Sequence, residues 1–253
     1  MSKDGALHGA LVVTGTGTGV GKTVVTAAIA ALAADRNARV AVVKPAQTGA
    51  QPGEPGDLDE IRRLAQATDL HELARFPAAA SPEAAARVSG LAPVDVGEAA
   101  EQVTKLLKSR TLVLVEGSGG LAVRYDDTGT TIADMARMLG APVLVVVAAG
   151  LGTLNHTALT LEALATRGLS CAGVVLGSWP TDPDLAMRAN LTDLRTVAAR
   201  PLDGALPAGA ARLAPRDFLG AARARLAPAL GGTFDPAAFE QRHGLPTVRE
   251  GGT

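Results

Sequence analysis

The stretch Thr14-Gly15-Thr16-Gly17-Thr18-Gly19-Val20-Gly21-Lys22-Thr23 constrains this chain more than any other. It follows the apolar run Ala10-Leu11-Val12-Val13 and opens a segment with helical spacing. Strand, glycine-rich turn and helix together make an anion cradle. Glycines let backbone N–H groups converge on phosphate oxygens, and the helix N-terminus adds positive potential. In such a cradle Lys22 reaches the β- and γ-phosphates, and the Thr23 hydroxyl takes a place on Mg²⁺. The expected nucleotide contacts are Gly17, Thr18, Gly19, Val20, Gly21, Lys22, Thr23 and Val24. The common spacing leaves four residues between the first glycine and Gly-Lys-Thr. Counted that way the glycine position falls on Thr16, and from Gly15 there are five. The pattern implies a nucleoside triphosphate.

At 253 residues and 47% hydrophobic content the chain can build one α/β core, of Val, Leu, Ile and Ala because aromatics are only 2%. A net charge of −1, without a basic run, speaks against nucleic acid. The single Cys171 lies in an apolar run and reads as a buried core thiol. No signal peptide or long apolar stretch is seen, so the expectation is a cytoplasmic protein with no membrane partner.

Apolar runs of strand length recur near 10–14, 39–43, 111–116, 142–148 and 172–176. Helical spacing falls near 22–34, 58–67, 94–107, 132–139, 154–167, 185–197 and 217–226. Near-continuous apolar strands such as Pro142 to Val147 suit a parallel sheet covered on both faces. The expected fold class is α/β, a doubly wound, mainly parallel sheet with helices on both faces, of P-loop NTPase type. Ligands belong at the carboxyl ends of its strands. Residues 1–230 read as a single domain. Ala50–Gly56 reads as a mobile loop, and 231–253 as a flexible C-terminal tail.

The loops after the strands carry the unusual residues. Lys44, stiffened by Pro45, stands at the tip of the second strand, where it can stabilise negative charge. Glu116 ends the run Leu112-Val113-Leu114-Val115, the place of a metal-holding carboxylate in P-loop enzymes. Gly117-Ser118-Gly119-Gly120 then lets a substrate approach the backbone. Asp57 has two readings, a helix N-cap or a metal ligand. Gly150-Leu151-Gly152-Thr153-Leu154-Asn155-His156 is a second glycine-bearing turn into a helix, suited to a carboxylate. His156 reads as a structural helix residue. His8, His71 and His243 lack metal-ligand spacing, which makes zinc unlikely.

Gly15 to Thr23, Lys44-Pro45-Ala46-Gln47-Thr48-Gly49, Val115-Glu116-Gly117-Ser118-Gly119-Gly120 and Leu151 to His156, in this order, strongly resemble dethiobiotin synthetase, as does the longer phosphate loop. The resemblance runs from about Ala10 to Arg225 and includes Pro201 to Pro207. It implies an ATP-dependent cyclo-ligase of biotin synthesis that joins CO₂ to 7,8-diaminononanoate (7,8-diaminopelargonate). A carbamate and a carbamic–phosphoric anhydride would lead to dethiobiotin, ADP and phosphate. It further implies Lys22 and Lys44 on the transferring phosphoryl group, and Thr18 and Thr48 on carbamate and phosphate. Thr23, Asp57 and Glu116 would hold Mg²⁺. Thr48, Gly119, Gly152, Thr153, Leu154 and Asn155 would bind the substrate, the last four reaching across a homodimer. Gly177 and Pro207 would flank the base. Many relatives read adenine with an Asn-Pro-type motif. Here Val175-Leu176-Gly177-Ser178-Trp179-Pro180 has no asparagine, so other nucleoside triphosphates stay open beside ATP.

Two rivals share parts of this pattern. A nucleotide switch of the partitioning or cell-division type carries an extra lysine near the start of the loop, where this chain has Gly15-Thr16-Gly17. A P-loop amidotransferase of corrinoid synthesis needs a glutaminase domain with a nucleophilic cysteine, which a single Cys171 in an apolar run does not supply.

Overall fold

A computed structural model describes residues 7–245. Its elements, in chain order, are β1 (Gly9–Gly15), α1 (Lys22–Asp35), β2 (Val40–Lys44), β3 (Gln47–Thr48), α2 (Asp57–Ala65), β4 (Leu70–Glu72), β5 (Arg75–Phe76), α3 (Pro82–Ser89), α4 (Val96–Leu107) and β6 (Leu112–Glu116). Then come α5 (Ile132–Leu139), β7 (Val143–Val147), α6 (Thr153–Thr166), β8 (Cys171–Trp179), α7 (Leu185–Ala198), β9 (Gly204–Pro207), α8 (Pro215–Arg225) and α9 (Pro236–His243).

Seven strands form one sheet in the order β4-β2-β6-β1-β7-β8-β9. Every pairing in it is parallel. Strands built from Val and Leu bury both faces. Val12, Val43, Val113, Val115, Val145 and Val147 pack with α4, α5 and α7 on one side. Leu11, Val13, Val42, Leu114 and Val146 pack with α1, α2 and α8 on the other. Each such side chain contributes roughly 1.5–3 kcal/mol by leaving water. The doubly wound parallel sheet expected from the alternation is therefore present. Chain order reverses between β1 and β7, and the crevice opens there at the carboxyl ends of the strands. Among the described residues no helix is long and apolar enough to cross a membrane.

Several elements differ from the sequence expectation. β3, β4, β5 and β9 are two to four residues long, too short for a periodicity to show. α3 begins at Pro82, a residue that suits the first helical turn but reads as a breaker in sequence. The segment from 231, expected to be a loose tail, instead carries α9, whose Phe239 is buried against Trp179 with ring centroids 5.5 Å apart. A few aromatics fix it where helical periodicity is weak; the rest of that expectation, 246–253, lies outside the described residues. Ala50–Gly56, read as mobile, is a loop hydrogen-bonded to Arg75 through the carbonyls of Gln51 and Glu54. Cys171 opens β8 half-buried rather than buried, and burial raises its thiol pKa.

Candidate functional site

The turn after β1 enters α1 through Gly21, at φ 99°, a backbone conformation that favours glycine. A Cβ there would also stand 2.8 Å from the Gly177 carbonyl oxygen, and one at Gly177 would run into the Val20 carbonyl. Val20 and Gly177 thus fix how closely the turn approaches β8. Since Gly21 has no side chain to cap the helix, and the first turn of α1 holds no acid, its N-terminal end is suited to an anion.

A cleft of about 760 Å³ opens above this turn. Thr18, Gly19, Gly21, Lys22, Thr23, Val24, Lys44, Thr48, Asp57, Glu116 and Gly119 line it, from three different strand–helix connections. Lys44 is its electrostatic centre. Only 3% exposed, its ammonium lies 2.9 Å from Glu116 Oε1 and 2.5 Å from Asp57 Oδ2. Burial by itself would lower the Lys44 pKa, but Glu116 and Asp57 overcome that and raise it above the ordinary lysine value. Lys22 has the opposite balance. Burial first, and then the positive charge of Lys44, bring its pKa down to about 8. Its ammonium donates to the Gly17 carbonyl at 2.9 Å.

Glu116 is fully buried. Its Oε1 accepts from Lys44 and from the Thr23 hydroxyl, both at 2.9 Å. Its Oε2 is buried with no hydrogen-bond partner among the described residues. A buried carboxylate oxygen without a donor is costly, and a divalent cation would satisfy it. Oxygen donors from Thr23, Glu116 and Asp57 are the hard set that Mg²⁺ takes alongside phosphate oxygens. No group of three or more His, Cys, Asp or Glu side chains is assembled among the described residues.

The two readings of Asp57 separate in space. The N-cap of α2 is Gly56, whose N–H donates to Asp59 Oδ2 at 2.8 Å. With Asp59 acting as the cap, the Asp57 carboxylate is left to Lys44 and the cleft. Sequence reasoning passed over four supporting residues. Gln47 Oε1 accepts from the Asp57 N–H at 2.8 Å. The Ser118 hydroxyl donates to the Ala46 carbonyl, and its N–H to the buried Tyr125 hydroxyl. Arg75 holds the loop that precedes Asp57. Gln47 and Ser118 stand inside the quoted motifs, whereas Tyr125 and Arg75 carry no local signal.

Gly152, Thr153, Leu154 and Asn155 are not among the residues lining the cleft. They form the N-terminus of α6, again capped by a glycine, with no acid in the first turn. The Thr153 hydroxyl donates to the Ala148 carbonyl, and buried Asn190 donates to the carbonyls of Ala149 and Gly150. Beside them Leu151 is 88% exposed. His156 is exposed on α6. Pro207 ends β9, opposite Trp179 in the register.

Residues 9–211 match a family described as an AAA domain. Among solved structures, the septum site-determining protein MinD complexed with Mg-ADP from Pyrococcus horikoshii aligns with TM-score 0.53 at 17% identity, covering 89% of this chain and 95% of that one. A ParA family ATPase from Chlorobium tepidum gives 0.53 at 13%, covering 85% and 89%. These likenesses show the fold alone. Curated relatives are far nearer in sequence. An ATP-dependent dethiobiotin synthetase BioD of Frankia casuarinae is 66% identical, over 92% of this chain and 98% of its own. Another, of Streptomyces coelicolor, is 56% identical over 92% and 98%. With that identity running the length of both proteins, the chain belongs to the ATP-dependent dethiobiotin synthetase family of biotin biosynthesis.

Proposed function

We propose that this chain closes the ureido ring of dethiobiotin from 7,8-diaminononanoate, CO₂ and a nucleoside triphosphate. The observation that carries the reading is the cluster of Lys22, Lys44, Thr23, Asp57 and Glu116 in one cleft at the phosphate turn. One amine of the substrate captures CO₂ as a carbamate and loses a proton. A carbamate oxygen attacks the γ-phosphorus, and the bond to the bridging oxygen of the nucleoside diphosphate breaks. The second amine then attacks the carbonyl carbon of the carbamic–phosphoric anhydride and gives up a proton, and phosphate leaves with the C–O bond electrons.

Each step develops negative charge that fixed cations can stabilise. Lys22 leaves the Gly17 carbonyl for the phosphates, and Lys44 stands where the γ-phosphoryl passes. Thr18 and Thr48 orient carbamate and phosphate, with Gly119 at the backbone wall. Thr23, Glu116 and Asp57 would hold Mg²⁺, which supplies charge neutralisation on the phosphate oxygens. The α6 turn from Gly152 to Asn155 would bind the substrate carboxylate, reaching across from the second subunit of a homodimer, and the protein would work in the cytoplasm. At the base end the segment from Gly177 to Pro180 offers backbone groups and Ser178 but no side-chain amide, and Pro207 stands across from it. ATP is the expected cosubstrate, with less than about a 100-fold preference over CTP or GTP, because base reading without paired side-chain hydrogen bonds discriminates weakly.

The test is formation of dethiobiotin from diaminononanoate and bicarbonate with ATP, CTP and GTP in turn, with and without Mg²⁺. Product that needs all components supports the reading. Nucleotide hydrolysis that ignores the diamine would favour a switch-type ATPase instead.

A further inference from the structure

The loop that delivers Asp57 is fastened to the strands that carry Lys44 by two side chains: Gln47 takes the Asp57 N–H, and Arg75 takes the loop before it. β3 and β5 form a separate two-stranded sheet that sets Gln47 opposite Arg75. The Arg75 guanidinium is divided between two duties. Its Nε and Nη2 fork onto the Glu72 carboxylate at 2.6 and 2.8 Å. Its Nη1 donates to the Gln51 and Glu54 carbonyls at 3.1 and 2.7 Å. Glu72 is the residue of β4 in register with Lys44 of β2, and the Leu73 N–H donates to the Lys44 carbonyl at 3.0 Å. The chain from Lys44 through Glu72, Arg75, the 51–54 carbonyls, Gly56 and Asp57 therefore closes back on the Lys44 ammonium.

Gly56 shows how tight this closure is. A Cβ there would lie 2.8 Å from Gln47 Oε1 and 2.9 Å from Arg75 Nη2. The backbone just before Asp57 is thus pressed against the two side chains that hold it. Among the described residues, the other side chains that bond this Pro- and Gly-rich stretch are Glu54 to the Gln51 N–H, Asp59 to the Gly56 N–H and Gln47 to the Asp57 N–H, so Arg75 is the one that ties the 51–54 backbone to the strands. A forked guanidinium suits the task because it is planar and donates in several fixed directions at once, which an ammonium cannot do.

We propose that Arg75 is a positioning residue for the phosphoryl-transfer site: anchored on Glu72, it holds the 51–56 loop so that Asp57 meets Lys44 and the metal-bound nucleotide. This rests on the reading of Asp57 as a metal-site carboxylate. Arg75 itself is not among the residues that line the cleft. Its effect passes entirely through Asp57, as outer-shell partners of metal ligands commonly act.

The experiment compares Arg75→Ala, Arg75→Lys, Glu72→Gln, Asp57→Asn and the Arg75→Ala/Asp57→Asn double variant, with thermal unfolding recorded for each. Calorimetry measures binding of the β,γ-methylene analogue of ATP, once with Mg²⁺ and once with EDTA. Kinetics give the Mg²⁺ concentration for half-maximal turnover. Arg75→Ala should weaken Mg²⁺-dependent binding and raise the Mg²⁺ requirement on the order of 10-fold, leaving binding in EDTA unchanged. Arg75→Lys should not restore it. Glu72→Gln keeps the shape and gives a milder shift in the same direction, which serves if Arg75→Ala fails to fold. The double variant should match Asp57→Asn alone. Additive losses, or equal losses with and without Mg²⁺, would overturn the proposal while leaving Asp57 in place. An Asp57→Asn variant with a normal Mg²⁺ response would remove the metal reading of Asp57, and Arg75's role with it.

Discussion

Two glycine-capped helix N-termini, those of α1 and α6, are built alike and surrounded differently. Both lack a capping side chain and an acid in the first turn, whereas α4 and α7 are capped by Asp95 and Asp184. Around α1 the chain gathers two lysines, two carboxylates and three threonines into one cleft. Around α6 it supplies bracing from Asn190 and Thr153 on the inside and an exposed Leu151 on the outside. The phosphate end is complete within one chain. The α6 turn lies outside that cleft, and the proposed substrate carboxylate site there would need a second copy of the chain to meet the phosphate end.

The largest effects should fall at the complete end. Lys22→Ala and Lys44→Ala should each lower turnover on the order of 100-fold or more, since preorganised charges on a transferring phosphoryl group are worth a few kcal/mol. The two differ in stability. Removing Lys44 strands the fully buried Glu116 beside Asp57, a loss of roughly 3 kcal/mol or more. Removing Lys22 costs only a bond to Gly17 and relieves repulsion of Lys44. Steady-state kinetics with thermal unfolding checks both. Near-normal turnover in folded variants would refute the phosphoryl-transfer assignment.

A smaller change is expected at α6, and of a different kind. Asn155→Ala should raise KM for the diamine about 10-fold or more, the equivalent of one hydrogen bond to a charged group at about 1.5 kcal/mol, with nucleotide KM unchanged. Leu151→Asp should convert dimers to monomers in sedimentation and raise the same KM. If neither KM nor oligomeric state moves, the contrast between the two helix ends has no functional meaning.

How much of this was legible in sequence depends on the range over which each feature is encoded. Lys22, Lys44 and Glu116 follow apolar runs that announce themselves as strands, so their convergence follows from the topology of a parallel sheet. The letters alone leave Asp57 with two readings, cap or ligand; only the turn of the chain at Gly56 gives the helix-end N–H to Asp59 and turns Asp57 to the cleft. Arg75 was invisible because its partners lie at 51, 54 and 72, joined by strands of two and three residues. α9 was missed because burial of a few aromatics, rather than a repeating stripe, holds it.

The smallest and most gradual effect is pH dependence at the phosphate end. Lys22 in the folded protein loses its proton near pH 8, against 10.5 for an ordinary lysine. Nucleotide binding needs the charged form, so affinity should be flat below about pH 8. Above it, affinity should fall up to about tenfold per unit. Between about 8 and 10.5 the unfolded chain holds a proton that the folded chain has lost at this site, so the contribution of Lys22 to stability rises with pH there. Lys44, with its raised pKa, contributes stability that is present through that range and is lost only above it. Calorimetric titration across pH checks the profile. It should flatten in Lys22→Ala, and a slope that persists in that variant would assign the titration elsewhere.

The contact of Gly21 with Gly177 bears on the heat and entropy of nucleotide binding. The turn is held by β8 on one side, and its Thr16 N–H donates to the Val146 carbonyl at 3.0 Å on β7. Its shape therefore exists before any ligand arrives, and little backbone freedom is left to freeze on association. Binding to such a turn should lack the large heat-capacity change of coupled folding. Affinity for the phosphates is then set partly by how β7 and β8 hold the turn, and not by the phosphate-binding groups alone.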